Sequence, residues 1–194
     1  MTNKMLDFNC ALIDNDFLTH AIETRMDEKS KYVLLNSIFD VLNKTPMIHP
    51  WISNFEVLWD NQTVNDVISN TKIQTATWDD IHGNQSGRIA YYEILFKELF
   101  KKIHGTSFGA YDVFSYCVKK QSLGELHNIA ACIFCDCNLI LSDDKDTKRF
   151  KALISQSRAC NFEIYTRSEL VERIRGLEGA PKRSDLKSFA HKRV

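Results

Sequence analysis

Two groups of acids stand directly behind short apolar runs in this chain. Phe8 to Ile13 (FNCALI) ends in Asp14, with Asp16 just beyond, and Leu139-Ile140-Leu141 ends in Ser142, Asp143 and Asp144. A further acid, Glu125, begins the segment that precedes the second run. Runs of this kind read as strands buried in a parallel sheet, and ligands of such sheets bind outside the carboxyl ends of the strands. If the two strands are neighbours, Asp14, Asp16, Glu125, Asp143 and Asp144 converge. Clustered carboxylates repel one another, and a divalent cation relieves the repulsion. Their hard oxygen donors favour Mg2+ or Mn2+. One or two such ions activate water and stabilise the leaving oxygen of a phosphodiester. Each acid also has a local reading. Asp14 and the Ser142-Asp143-Asp144 group can cap the helices that follow them, and Glu125 suits a helix N-terminus. Glu56 follows Ser53 at the spacing of a capping box.

The positioning elements are legible as a strand–helix alternation. Helical spacing marks residues 17–26, 31–42 and 88–103, the last with Ile89, Tyr92, Phe96, Leu99 and Phe100 on one stripe. That stripe reads as core rather than as a base-stacking platform. Residues 47–52 suggest a second strand and Asn54 to Trp59 the start of a helix. Residues 61–87 suggest short helices with a loop at His82-Gly83-Asn84. Helices are expected over 111–120, 124–136, 146–156 and 167–175, with a strand over 162–165. The alternation implies a parallel sheet covered by helices on both faces. Beyond Gly176 the chain turns basic, and residues 177–194, with Lys192 and Arg193, read as a flexible tail.

Composition narrows the class. The 194 residues carry 25 Lys+Arg and 25 Asp+Glu, so the net charge is zero and a bulk coat for nucleic acid is disfavoured. Lys145, Lys148, Arg149 and Lys151 nevertheless follow the second acidic group, as a solvated helix face or as phosphate contacts. No apolar run approaches the ~18 residues of a membrane helix, and no basic-then-apolar leader opens the sequence. The six cysteines therefore read as reduced and the protein as cytoplasmic. Cys132, Cys135 and Cys137 lie in and just after an apolar helical stretch, with no second pair to complete a zinc site. His49, His82 and His104 are expected at loops or helix ends, exposed or capping.

These residues resemble the PIN-like nuclease family. The segment GELHNIAACIFCDCNLILSDDKDTKRFKALISQ is similar to the C-terminal half of such domains: Gly-Glu opens an alanine-containing helix, and an apolar strand, Asp-Asp and a basic helix follow. LIDNDFL resembles the family's first motif, and Glu56 within ISNFEVL is the best match to the second. Asp16 stands where many members carry Asn, Ser or Thr, and Glu125 where many carry Asp. The resemblance implies a single PIN-like three-layer sandwich over residues 1–176, with a central parallel sheet and a helical insertion at about 61–110. It implies an Mg2+- or Mn2+-dependent endoribonuclease in which Asp14, Glu56, Glu125 and Asp143 are catalytic. Asp14, Asp16, Glu125, Asp143 and Asp144 would hold the metal. Ser142, Asn128, Lys145, Lys148 and Arg149 would contact the substrate. It further implies a toxin of a toxin–antitoxin or defence system, with RNA as substrate, an antitoxin protein as partner, and a homodimer. The competing expectations are a PIN-like scaffold without catalysis that binds protein or nucleic acid, and a DNA-directed nuclease.

Overall fold

The computed structural model describes residues 5–22, 26–57, 62–118, 122–135 and 137–190. Five short strands form one parallel sheet in the order β3-β2-β1-β4-β5. They are β1 (Ala11–Ile13), β2 (Met47–Ile48), β3 (Gln74–Thr75), β4 (Leu139–Leu141) and β5 (Glu163–Tyr165). In β1 and β4 every side chain is buried, as expected of strands covered on both faces. The register pairs Ala11 with Leu139 and Ile13 with Leu141. The order reverses at β1, so the crevice beside its carboxyl end is the topological switch point of the sheet.

Helices fill the connections. They are α1 (Asn15–Ile22), α2 (Glu28–Asp40), α3 (Pro50–Ile52), α4 (Gln62–Asn70), α5 (Trp78–His82), α6 (Ser86–His104), α7 (Leu123–Phe134), α8 (Lys145–Ser155), α9 (Arg167–Ile174) and α10 (Arg183–Ala190). Central to the site is α7, which packs against α3, α5, α6, α8 and β4. The stripe on α6 is core: Tyr92, Leu95, Phe96, Leu99 and Phe100 are buried. No helix among the described residues is long and apolar enough to cross a membrane.

Several expectations are corrected. The strand expected over 47–52 stops at Ile48, because Pro50 has no N–H for a ladder but suits the first turn of a helix. The chain then passes into a π-helical turn, Ser53–Val57, which carries Glu56. The middle segment is more than a helical insertion, since Gln74 and Thr75 add an edge strand to the sheet. The helix expected over 111–120 does not form in the described part. There the Asp112 side chain accepts hydrogen bonds from the Phe114 N–H and the Ser115 hydroxyl, which turns the backbone away from a helix.

The expected flexible tail contains helix α10, whose Leu186 and Phe189 are buried and whose Phe189 ring meets Phe17 edge-on at 6.0 Å. Lys192 and Arg193 lie outside the described residues, as do Asp136, Lys120, Trp59 and residues 23–25. The cysteines are not all reduced. Cys10 and Cys137 precede the neighbouring strands β1 and β4, their Cα atoms are 4.3 Å apart, and their sulfurs are bonded. That bond removes the cysteine argument for a reducing compartment.

Candidate functional site: a carboxylate cluster at the sheet edge

Adjacency of β1 and β4 brings the two acidic groups together. Asp14 follows β1 directly, and its N–H donates to the Leu141 carbonyl at 2.9 Å, which carries the ladder one step past the strand. Its carboxylate is buried. One oxygen accepts from the Asn15 N–H at 2.9 Å and the other from the Ser142 hydroxyl at 3.0 Å. Ser142 is saturated: its oxygen also accepts from the Asp144 N–H at 3.1 Å and meets the Thr147 hydroxyl at 3.1 Å. Ser142 thus fixes Asp14 and the backbone of Asp144 together. It is fully buried, so it acts on the carboxylates and does not reach a phosphate.

The carboxylates sense one another. Burial pushes the Asp14 carboxyl well above its ordinary range, and Asp16 and Glu125 push it further. Burial raises Asp16 to about 6, helped by repulsion from Asp143 and Asp144 and opposed by His20. Burial raises Glu125 to about 8, with Glu56 and Asp144 adding to the rise. Glu125 hydrogen-bonds the Asp144 side chain, and its buried Oε2 has no hydrogen-bond partner among the described residues. Six acids therefore share one electrostatic neighbourhood: Asp14, Asp16, Glu56, Glu125, Asp143 and Asp144.

Glu56 enters this group through Gly124. Its carboxylate lies against the first turn of α7, so close that a Cβ on Gly124 would stand 3.0 Å from the Glu56 carboxyl carbon and overlap Oε1. A helix N-terminus favours a carboxylate there, and glycine makes the approach sterically open. Ser122, the N-cap of α7, is left-handed at φ 47°, a conformation rare outside glycine and often found beside functional sites.

A buried relay holds α7 in place. The His49 Nδ1 accepts from the Trp51 N–H at 3.1 Å, so its proton sits on Nε2, which donates to the Tyr92 hydroxyl at 3.2 Å. Tyr92 lies 3.0 Å from His127 Nδ1 and donates to it. Burial pushes His49 down to about 3 and His127 well below its ordinary value, each lowered further by a neighbouring histidine, so both rings are neutral. His127 Nε2 faces the Val113 carbonyl without reaching hydrogen-bond geometry. This relay links the helix bearing Glu125 to the segment leading to Glu56. His49 and His82 are buried, and His49 caps α3, so of the two expected roles for His49, exposure or capping, capping holds.

Asp143 takes a different place. Its carboxylate accepts from the Arg167 N–H at 2.9 Å and from Arg167 Nε at 2.5 Å, and His20 Nδ1 is 3.2 Å away. Arg167 is only 2% exposed, and its Nη1 also donates to the carbonyls of His20 and Phe189. Asp143 is therefore committed to a buried ion pair, whereas Asp144 stands beside Glu125. Asp144 also accepts from the Asp146 N–H at 2.8 Å, so it is the N-cap of α8 as well. Asn128 is fully buried, with neither amide atom partnered among the described residues, which puts it out of reach of a substrate at the surface.

The basic residues of α8 lie at the surface. Lys148 pairs with Glu169 at 2.6 Å and Arg149 with Asp146 at 3.2 Å, while Lys145 is exposed. Exposed pairs of this kind are worth about 0–1 kcal/mol, so phosphates can compete for these cations. Sequence spacing missed Arg167. A signal existed: a cation at the first position of a helix opposes the helix dipole and implies a specific anionic partner.

The donor set fits a hard divalent ion in kind, since every member is a carboxylate oxygen and the Glu125 oxygen lacks a partner. Among the described residues, no three His, Cys, Asp or Glu side chains stand at chelating distance. Closing on an ion therefore requires side-chain rotation. Comparison with protein-family models, curated proteins and solved structures gave no match.

Two outcomes follow from this geometry. Glu125 holds a proton in the folded protein between its ordinary 4.5 and about 8, where the unfolded chain has released it. Folding stability therefore falls as pH rises through that window. In EDTA, thermal melts should show Glu125→Gln gaining about 3 °C or more over the parent at pH 8, the shift of ~1 kcal/mol at this size, with little gain at pH 5. Equal gains at both pH values would reject the assignment. Gly124→Ala should displace Glu56 while leaving the fold intact. Its melting temperature should lie within a few degrees of the parent, and divalent-ion affinity should drop about tenfold or more.

Proposed function

We propose that this chain is a PIN-like, Mg2+- or Mn2+-dependent nuclease that cuts RNA. The observation that carries the reading is the gathering of Asp14, Asp16, Glu56, Glu125 and Asp144 at the carboxyl ends of β1 and β4, with mutually raised proton affinities. The parallel α/β sheet with its reversal at β1 supports it, because that crevice is where such sheets place ligands. A bound divalent ion would supply an activated water and charge neutralisation at the scissile phosphate. Asp14, Asp16, Glu125 and Asp144 would hold it, with Glu56 closing the set from the π-helical turn.

The chain's own residues do the rest. Ser142 orients Asp14 through its hydroxyl. Arg167 pairs with Asp143 beside Asp16, so Asp143 acts as a positioning group at the edge of the cluster. Lys145, Lys148 and Arg149 present cations to the substrate phosphates from the start of α8. The proposed biological setting is a toxin acting against RNA, as a homodimer and with an antitoxin partner. The exposed Tyr91 and Ile94, one turn apart on α6, supply an apolar patch for such contacts.

A second reading is a non-catalytic scaffold that binds protein or nucleic acid. It is favoured by one observation, the commitment of Asp143 to Arg167. Incubation of defined RNA and single-stranded DNA with Mn2+, with and without EDTA, separates the two. The nuclease reading expects RNA cleavage that EDTA abolishes and that falls about 100-fold or more in Glu125→Gln and Asp14→Asn. Cleavage unchanged in both folded variants would reject the site. Cleavage of DNA in preference to RNA would reject the substrate.

A further inference from the structure

A groove of about 630 Å³ runs between α9 and α10, on the flank of the sheet beside β5. Its floor is apolar, from Val171, Leu186 and Ala190, and its rim carries Arg175, Arg183 and Lys187. All three cations are exposed. One acid, Glu172, faces them and lies 3.3 Å from Arg175. The groove is therefore net cationic in a chain whose total charge is zero. In sequence, Lys192 and Arg193 follow directly.

The groove begins where α9 leaves the sheet, one residue from Arg167. Ser168 and Ala190 line its near end, where the Ser168 hydroxyl donates to the Ala190 carbonyl at 3.2 Å. The neighbouring Arg167 reaches both Asp143 and the Phe189 carbonyl from that point. The near end thus sits at the carboxyl edge of the sheet, next to the Arg167–Asp143 pair, and Asp143 in turn neighbours Asp16 of the cluster. The far end, at Arg175 and Arg183, lies a helix length away, about 12 Å for eight residues.

We infer that the α9–α10 groove is a track for the phosphate backbone of a single-stranded nucleic acid leading to or from the carboxylate cluster. The inference rests on the nuclease reading for the identity of the strand. Among the described residues no aromatic ring lines the groove, so they offer bases no stacking surface there. Contacts to phosphate alone give salt-dependent binding that tolerates any sequence. Continuity with the acidic site favours this occupant over an acidic protein segment, which would need no such alignment.

The test is fluorescence anisotropy with labelled RNA of about 15 and about 4 nucleotides, in EDTA so that binding is read without cleavage. The groove variant is Arg183→Ala with Lys187→Ala. A charge-matched control carries Lys101→Ala with Lys102→Ala, at exposed positions on α6. The groove variant should lose about tenfold in affinity for the long RNA. Its log-log salt slope should shrink by about 1.4, the value for two lost phosphate contacts on a single strand. Its deficit on the short RNA should be much smaller, and the control should match the parent. Equal losses in both double variants would overturn the track, because bulk charge would then explain binding. Unchanged affinity in the groove variant would overturn it too. A groove variant that binds RNA normally but loses a polyglutamate peptide would overturn it in favour of an acidic protein partner. Parental cleavage of RNA, assayed separately with Mn2+, judges the nuclease reading. A cleaving parent with a silent groove variant fails the track alone, and a groove effect without cleavage fails the nuclease reading alone.

Discussion

Burial of several carboxylates in one crevice is the constraint around which this structure is arranged. Each acid removed from water favours its neutral form, and each like neighbour strengthens that preference. Asp14 is fully buried, Glu125 is raised to about 8, and Asp16 to about 6. A core under selection for stability alone would replace such groups with apolar ones. The surroundings instead hold them. Ser142 spends its hydroxyl on Asp14, Gly124 gives up its Cβ to admit Glu56, and the His49–Tyr92–His127 relay pins the helix that carries Glu125. These features make sense together if the cluster awaits a cation.

Asp143 shows the opposite solution to the same problem. A buried arginine takes two of its hydrogen bonds, and the geometry ties three elements to one point: α1 through the His20 carbonyl, α9 through Arg167 itself, and α10 through the Phe189 carbonyl. The pairing offsets part of the charge of Asp143, which still raises its neighbour Asp16. It also explains why the C-terminal helix packs against the body of the protein although only Leu186 and Phe189 of it are buried. Breaking such a pair by removing one partner typically costs 3–5 kcal/mol, because the other charge stays buried. The pair therefore fixes the edge of the site as firmly as the sheet does.

Much of this was legible in the residues. Ala11–Ile13 and Leu139–Leu141 are apolar on every position, so strand, burial and the acids behind them could all be read at once. The α6 stripe was equally plain. Other parts were not, for physical reasons. Strand β3 has two residues with exposed side chains, so no pattern marks it. Leu186 and Phe189 are too few among charges to announce a packed helix. Around Asp112, aromatic spacing imitates a helix until the side chain captures the following N–H. Asp143 and Asp144 are adjacent, and their division of labour depends on Arg167, remote in sequence. In the sequence Glu56 reads equally as a capping-box partner of Ser53, and the close approach at Gly124 is what brings it in.

The central claim is that the carboxylate cluster is a divalent-cation site paid for by displaced protons. Calorimetric titration with Mn2+ at pH 7, in two buffers of different ionisation enthalpy, tests it directly. The account predicts binding at millimolar Mn2+ or tighter, with release of about half a proton or more per ion, because Glu125 is largely protonated before the ion arrives. Binding and proton release should both be strongly reduced in Glu125→Gln. No binding, or binding with the same heat in both buffers, would contradict it.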